Sequence, residues 1–174
     1  GLWKFRLIPR SIRNGRYDMW LPAQGALNFG TGFTSPDSAS TFTIPSAAAK
    51  AVTVGAYDAG TGSAASFSGR GYIVEIGGSL MVKPELAAPG VNVLVPSVSG
   101  MARVSGTSYA TPFVTGSAAL LMEWGIVRGN DAFLYGEKLK AYLIKGAEPL
   151  AGAAVPDTQT GWGRLCLKNS LPQA

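Results

Sequence analysis

The chain has 174 residues, of which 47% are hydrophobic, 14% charged and 10% aromatic, an apolar share that excludes a disordered tail and fits one compact domain. Its 15 Lys and Arg outnumber 10 Asp and Glu, for a net charge of +5, and its single cysteine, Cys166, excludes an internal disulfide framework and a cysteine-rich zinc site. Histidine is absent, so any mechanism that needs an imidazole must take it from another segment of polypeptide.

No apolar run approaches the ~20 residues that cross a bilayer, so no membrane span is expected, and the basic N-terminus lacks the apolar stretch of a signal peptide. Lys4, Arg6, Arg10, Arg13 and Arg16 all precede the first acid, Asp18. A basic arm can contact phosphates. Yet residues 3–8 alternate apolar and cationic side chains, as a half-buried strand does, and that period makes nucleic acid the weaker reading. Asn14-Gly15 marks a two-residue hairpin turn, and Tyr17, Met19 and Leu21 alternate up to Pro22. Residues 1–22 are therefore expected to form strand, turn, strand, and residues 23–46 a loop.

Ala51 to Ala56 is a short β-branched run suited to a strand buried on both faces. Tyr72 to Ile76 is a further candidate strand, closed by Gly77-Gly78, and Val91–Val95 and Met101–Val104 form a pair around a turn. Ser108 to Trp124 is apolar nearly all round and is expected to be a buried helix. Asn130 or Asp131 is expected to cap a second helix. There Leu134, Leu139, Tyr142 and Leu143 share a face, Lys138, Lys140 and Lys145 meet solvent, and Gly146 is the stop. Strands followed by a buried and an amphipathic helix fit an α/β layer architecture.

The segment with the sharpest chemical content is Ser105-Gly106-Thr107-Ser108-Tyr109-Ala110-Thr111-Pro112. Proline is tolerated in a first helical turn, which places Ser108 at the helix N-terminus. A serine there has two readings. It can be a plain cap, or a nucleophile beside unpaired N–H groups that stabilise an oxyanion. Ala110 stands where the α/β-hydrolase elbow needs glycine, which disfavours that family. Arg70 and Glu85 are a candidate surface pair, and Lys83 a weak candidate for a serine base.

Gly106-Thr-Ser-Tyr-Ala-Thr-Pro112-Phe-Val-Thr-Gly116 resembles the nucleophile motif of the subtilisin-like serine proteases, the subtilases. Lys83-Pro-Glu-Leu-Ala-Ala-Pro-Gly90, the core strand around Val52-Thr-Val-Gly55, Ser66-Phe-Ser-Gly-Arg70 and Gly161-Trp-Gly163 are similar to further family segments. Collinear context of this kind is what a motif needs for support.

The resemblance implies the C-terminal part of a doubly wound parallel sheet and hydrolysis of peptide bonds. It implies Ser108 as nucleophile, its own N–H as an oxyanion donor, and Gly106, Thr107 and Pro112 as supports of the loop and first turn. Members of that family also need an aspartate and a histidine upstream of the serine, and neither motif is present here. Asn14 and Asn28 lie outside the glycine-flanked context of the family's oxyanion asparagine, so that role is not placed. The expected whole is residues 1–43 as the β-rich end of an insertion and 44–174 as the C-terminal part of a catalytic domain. The insertion resembles one in bacterial subtilases similar to clostridial spore-germination proteases.

The implied partners are a peptide or protein substrate and an upstream part of the same protease that supplies Asp, His and oxyanion Asn. The resemblance also implies a secreted, cell-envelope or spore-associated setting. Calcium occurs in the family, but no aspartate cluster assigns a site. The competing functions are a pseudoprotease that binds a partner and a nucleic-acid module led by the basic arm. An unpaired apolar sheet edge predicts a homo-oligomer.

Overall fold

The computed structural model describes residues 1–22 and 24–172. It divides into two units, Gly1–Pro36 and Asp37–Ala174. The first unit contains no strand among its described residues and only a short 3-10 turn, Gln24–Ala26. The expected hairpin is therefore not formed, and residues 1–43 are not β-rich. The alternation of residues 3–8 defines two faces but supplies no second strand to pair with, and Trp3 is left 84% exposed. At the expected turn, the Asn14 side chain accepts the Arg16 N–H at 3.0 Å, a local bond that competes with a hairpin turn.

Residues 41 and 42, expected in the N-terminal segment, belong to the second unit. The Thr41 N–H donates to the Arg70 carbonyl at 2.7 Å, and the Arg70 N–H returns to Thr41 Oγ1 at 2.8 Å. Phe42 lies against Gly69 and Gly71, where a Cβ would fall 3.0 and 2.9 Å from its ring.

The centre of the second unit is a small sheet. Strand β1 (Val54–Asp58) runs parallel to β5 (Leu86–Pro89), and β2 (Ser63–Ala64) adds to β1 antiparallel. Single-residue bridges extend it past β5, from Ala87 to Arg164 and from Arg164 to Glu148. Two hairpins stand beside the sheet: β3 (Tyr72–Ile76) with β4 (Ser79–Lys83), and β6 (Val93–Ser97) with β7 (Gly100–Val104). Gly77 and Gly78 both take positive φ, 59° and 77°, as a tight hairpin turn requires.

The helices are α1 (Thr107–Met122), continued by a π-helical segment Glu123–Val127, α2 (Gly136–Gly146) and the short α3 (Leu167–Ser170). Strand alternation sends Val54, Ala56, Leu86 and Ala88 to the α1 face, where they join Ala110, Val114, Leu121, Leu134 and Leu143. Tyr57 and Ala87 point the other way and pack with Leu150. The strand is covered on both faces, as its β-branched run implies.

Several expectations need correction. Helix α1 buries one face only, through Ala110, Val114, Ser117 and Leu121. Together with the π segment it spans 21 residues and is long and apolar enough, by length and composition, to cross a membrane. Its inner face instead forms the core of this unit. The second helix starts at Gly136 rather than beside Asp131, because the Asp131 carboxylate serves a local turn, accepting the Phe133 N–H at 3.2 Å and pairing with Lys138. That contact holds the Asp131 carboxyl below its ordinary value.

Lys140 does not face solvent, and Glu85 does not pair with Arg70. Glu85 Oε1 meets Lys83 Nζ at 2.7 Å and Lys140 Nζ at 2.6 Å, while Oε2 accepts the Thr53 N–H at 2.7 Å. Lys83 Nζ also donates to the Ala51 carbonyl at 2.7 Å and to Thr53 Oγ1 at 3.2 Å. Its three protons are thus committed, which is the arrangement of a structural cation rather than a serine base. The cluster ties the entry to β1, the β4–β5 corner and α2 together.

With Lys83 fully buried and Glu85 2% exposed, Glu85→Ala leaves two ammonium groups facing a lost carboxylate. The expected outcome is a loss of about 3–5 kcal/mol in urea unfolding. A loss below about 1 kcal/mol would show the pair to be solvated in practice.

Candidate active site

The site starts from a place where three backbones meet. Gly90 follows β5, and its N–H donates to the Tyr57 carbonyl at the end of β1, at 3.0 Å. Its carbonyl in turn accepts the Gly106 N–H at 2.8 Å. A Cβ on Gly90 would lie 2.6 Å from Ala56 Cβ, 3.0 Å from the Gly106 carbonyl oxygen and 3.4 Å from Ala110 Cβ. Only glycine lets the loop before α1 sit directly on the ends of the two parallel strands.

Gly106 is the N-cap of α1, with φ 154°. Ser105 Oγ accepts the Asn92 N–H at 2.9 Å, which fixes the loop from its other side to the start of β6. Thr107 and Ser108 are the first two helical residues, and the Tyr109 N–H turns back to the Gly106 carbonyl at 3.1 Å. Pro112 is the sixth residue of the helix, past the first turn where it was expected, and its missing N–H leaves the Ser108 carbonyl without its i→i−4 partner.

Gly106, Thr107 and Ser108 lie together at the N-cap and first turn of α1, and Pro112 follows in the second turn. Ser108 is exposed, and no hydrogen bond of its hydroxyl is found among the described residues. The cap is Gly106, which has no side chain, so Ser108 is not held by the role that most helix-start serines fill. A hydroxyl at this position lies beside first-turn N–H groups and the positive end of a 16-residue helix. That environment favours a developing negative charge on an oxygen brought to it. Histidine is absent from the sequence, and Lys83, the lysine weighed as a base, is committed to Glu85, Ala51 and Thr53.

Two further residues shape the site. Gly90 sits in the quoted Lys83–Gly90 segment, and its run of small residues, Ala87-Ala88-Pro89-Gly90, signals a close backbone approach. The Tyr109 ring lies against Gly106, with Cδ2 3.4 Å from the position of an added Cβ. Nothing in the sequence distinguished that ring from a core aromatic. Among the described residues no group of three His, Cys, Asp or Glu side chains could hold a metal ion.

The sequence profile of the subtilase family matches residues 14–163. The chain is 38% identical over 67 residues to the PII-type proteinase of Lactococcus lactis subsp. cremoris, covering 38% of this chain and 4% of that protein. It is 41% identical over 92 residues to Subtilisin-like protease 1 of Pseudogymnoascus destructans, covering 51% and 20%. The solved CspB protease of Clostridium perfringens superposes with a TM-score of 0.75 at 42% identity, over 83% of this chain and 30% of that one. The self-cleaved protease domain of PatA superposes with a TM-score of 0.56 at 30% identity, over 73% and 42%. The chain thus spans less than half the length of each of these relatives.

The geometry separates cap from nucleophile by stability alone. Ser108→Ala is expected to leave the unfolding free energy within about 0.5 kcal/mol of wild type. A loss near 1 kcal/mol would return the serine to a capping role. Gly90→Ala is expected to cost about 1–3 kcal/mol from overpacking, and a neutral result would contradict the close approach.

Proposed function

Since the chain belongs to the subtilase family, we propose that it is the serine-bearing C-terminal portion of a subtilisin-like endopeptidase. In that reading residues 44–174 are the catalytic-domain portion and residues 1–43 the end of an insertion. Ser108 attacks the scissile carbonyl of a peptide or protein and forms an acyl-enzyme, with its own N–H as one oxyanion donor. Gly106 and Thr107 hold the loop, and Pro112 follows in the second turn. A histidine from upstream polypeptide takes the Ser108 proton and returns it to the leaving amine, oriented by an upstream aspartate. The observation that carries this reading is an exposed, uncommitted serine hydroxyl at the start of a core helix, pinned through Gly106 to Gly90.

The same reading makes the isolated chain inactive. In subtilisin, itself of this family, loss of the histidine lowers turnover about a millionfold. The likeness to the Lactococcus and Clostridium proteases supports a secreted or envelope-associated setting.

The second reading, a pseudoprotease that binds a protein partner, draws on the same absence of histidine. The two part on the upstream coding sequence and on one assay. The intact protein is expected to carry aspartate and histidine motifs upstream and to hydrolyse a fluorogenic peptide. Its Ser108→Ala variant is expected to lose about 10⁶ in turnover, while the 174-residue chain alone shows no Ser108-dependent rate. An intact protein lacking both motifs would favour the binding module, and a clear rate from the isolated chain would overturn the missing-base argument.

A further inference from the structure

The first unit carries a pattern that the proposed hydrolysis leaves unused. Lys4, Arg6, Arg10, Arg13 and Arg16 are all exposed, and Asp18 is the one acid before Asp37. Four of the chain's five net positive charges therefore lie in Gly1–Pro36. No ion pair among the described residues involves any of the five cations. Large apolar side chains interleave with them: Leu2, Trp3, Phe5 and Ile8 are 90%, 84%, 78% and 77% exposed, and Leu7 and Ile12 are 62% exposed each. The half-buried strand that would have hidden one side of this pattern does not form. Residues 5–19 instead line a concavity of about 1110 Å³, which carries Arg6, Arg13 and Arg16 among Phe5, Ile12 and Met19, and no acid.

We propose that Gly1–Pro36 is a peripheral attachment segment that binds the surface of an anionic phospholipid bilayer. Charge selects the sign of the partner. Five cations free of ion pairs attract a phosphate-bearing surface and repel a second copy of themselves. The apolar side chains select its kind. Nucleic acid offers phosphates and flat bases on which Trp3 and Phe5 can stack, but Leu2, Leu7, Ile8 and Ile12 gain little from it. A bilayer interface takes all of them. Trp sits at headgroup depth, aliphatic side chains enter the acyl boundary, and Lys and Arg reach back to the phosphates. Backbone amides without strand partners stay in the hydrated headgroup layer, so the segment lies on the bilayer and does not span it. The proposal is independent of the role of Ser108.

The test is co-sedimentation of the 174-residue chain with vesicles of mixed phosphatidylglycerol and phosphatidylcholine, against vesicles of phosphatidylcholine alone. Wild type is expected to bind the anionic vesicles more tightly by about tenfold or more. Arg13→Gln/Arg16→Gln is expected to weaken that binding about 25-fold, at about fivefold for each cation near the surface. Trp3→Ser/Phe5→Ser leaves the charge unchanged and is expected to weaken it about tenfold or more, through lost apolar burial. Circular dichroism of each variant is expected to match wild type, since the substituted side chains are exposed and belong to no core cluster. Equal binding to neutral vesicles, tighter binding to a single-stranded oligonucleotide, or binding that survives both double variants would overturn the proposal. So would vesicle binding by the isolated chain that the intact protein lacks, which would give the segment a protein partner instead.

Discussion

The structure depends on one close backbone contact. Where Gly90 leaves β5, its amide is bound to β1 and its carbonyl to the Gly106 amide, with Ala56 and Ala110 packed around a position that has no room for a side chain. The contact joins the carboxyl ends of two parallel strands to the amino end of α1. The open side of the sheet, where strand ends and a helix dipole converge, is where α/β proteins place their ligands. Moving α1 away by the width of one methyl group would break the Gly106–Gly90 hydrogen bond and displace Ser108 with it.

The far side of the unit is secured by different means. There Glu85 sits between two lysine ammonium groups and the Thr53 amide, so that the entry to β1, the corner before β5 and helix α2 share one buried carboxylate. The closing segment covers the second face of the sheet. The Trp162 N–H donates to the Glu85 carbonyl at 2.9 Å, and Gly55, Gly161 and Gly163 admit neighbouring carbonyl oxygens where a Cβ would fall 2.2–2.4 Å away. Arg164 beside Glu148 holds that carboxyl below its ordinary value, across the last bridge of the sheet. Polar fastening at one end and glycine contacts at the other leave the serine loop braced from behind and open in front.

Much of this is readable from residue order because the governing contacts are short in sequence or periodic. The buried strand around Val54, the Gly77-Gly78 turn, the paired hairpin strands before the serine and the start of α1 all follow from local pattern. Other features depend on partners that pattern does not name. Residues 3–8 alternate as a strand does but have no second strand to pair with. Lys140 occupies a solvent-facing position by helical period, yet its ammonium reaches Glu85, 55 residues earlier in the chain. Helix α1 reads as buried all round because its composition is apolar all round, while this chain supplies a neighbour for only one side.

The account reduces to whether the Ser108 oxygen becomes covalently bonded during catalysis. The direct measurement is mass spectrometry of the intact protease after treatment with a phosphonylating serine probe, with the modified peptide sequenced. The account predicts a single adduct on the tryptic peptide containing Ser108, located on that residue and blocked by prior incubation with substrate. A protease that hydrolyses peptides while its Ser108 peptide stays unmodified, or that takes up the probe at another serine, would contradict it.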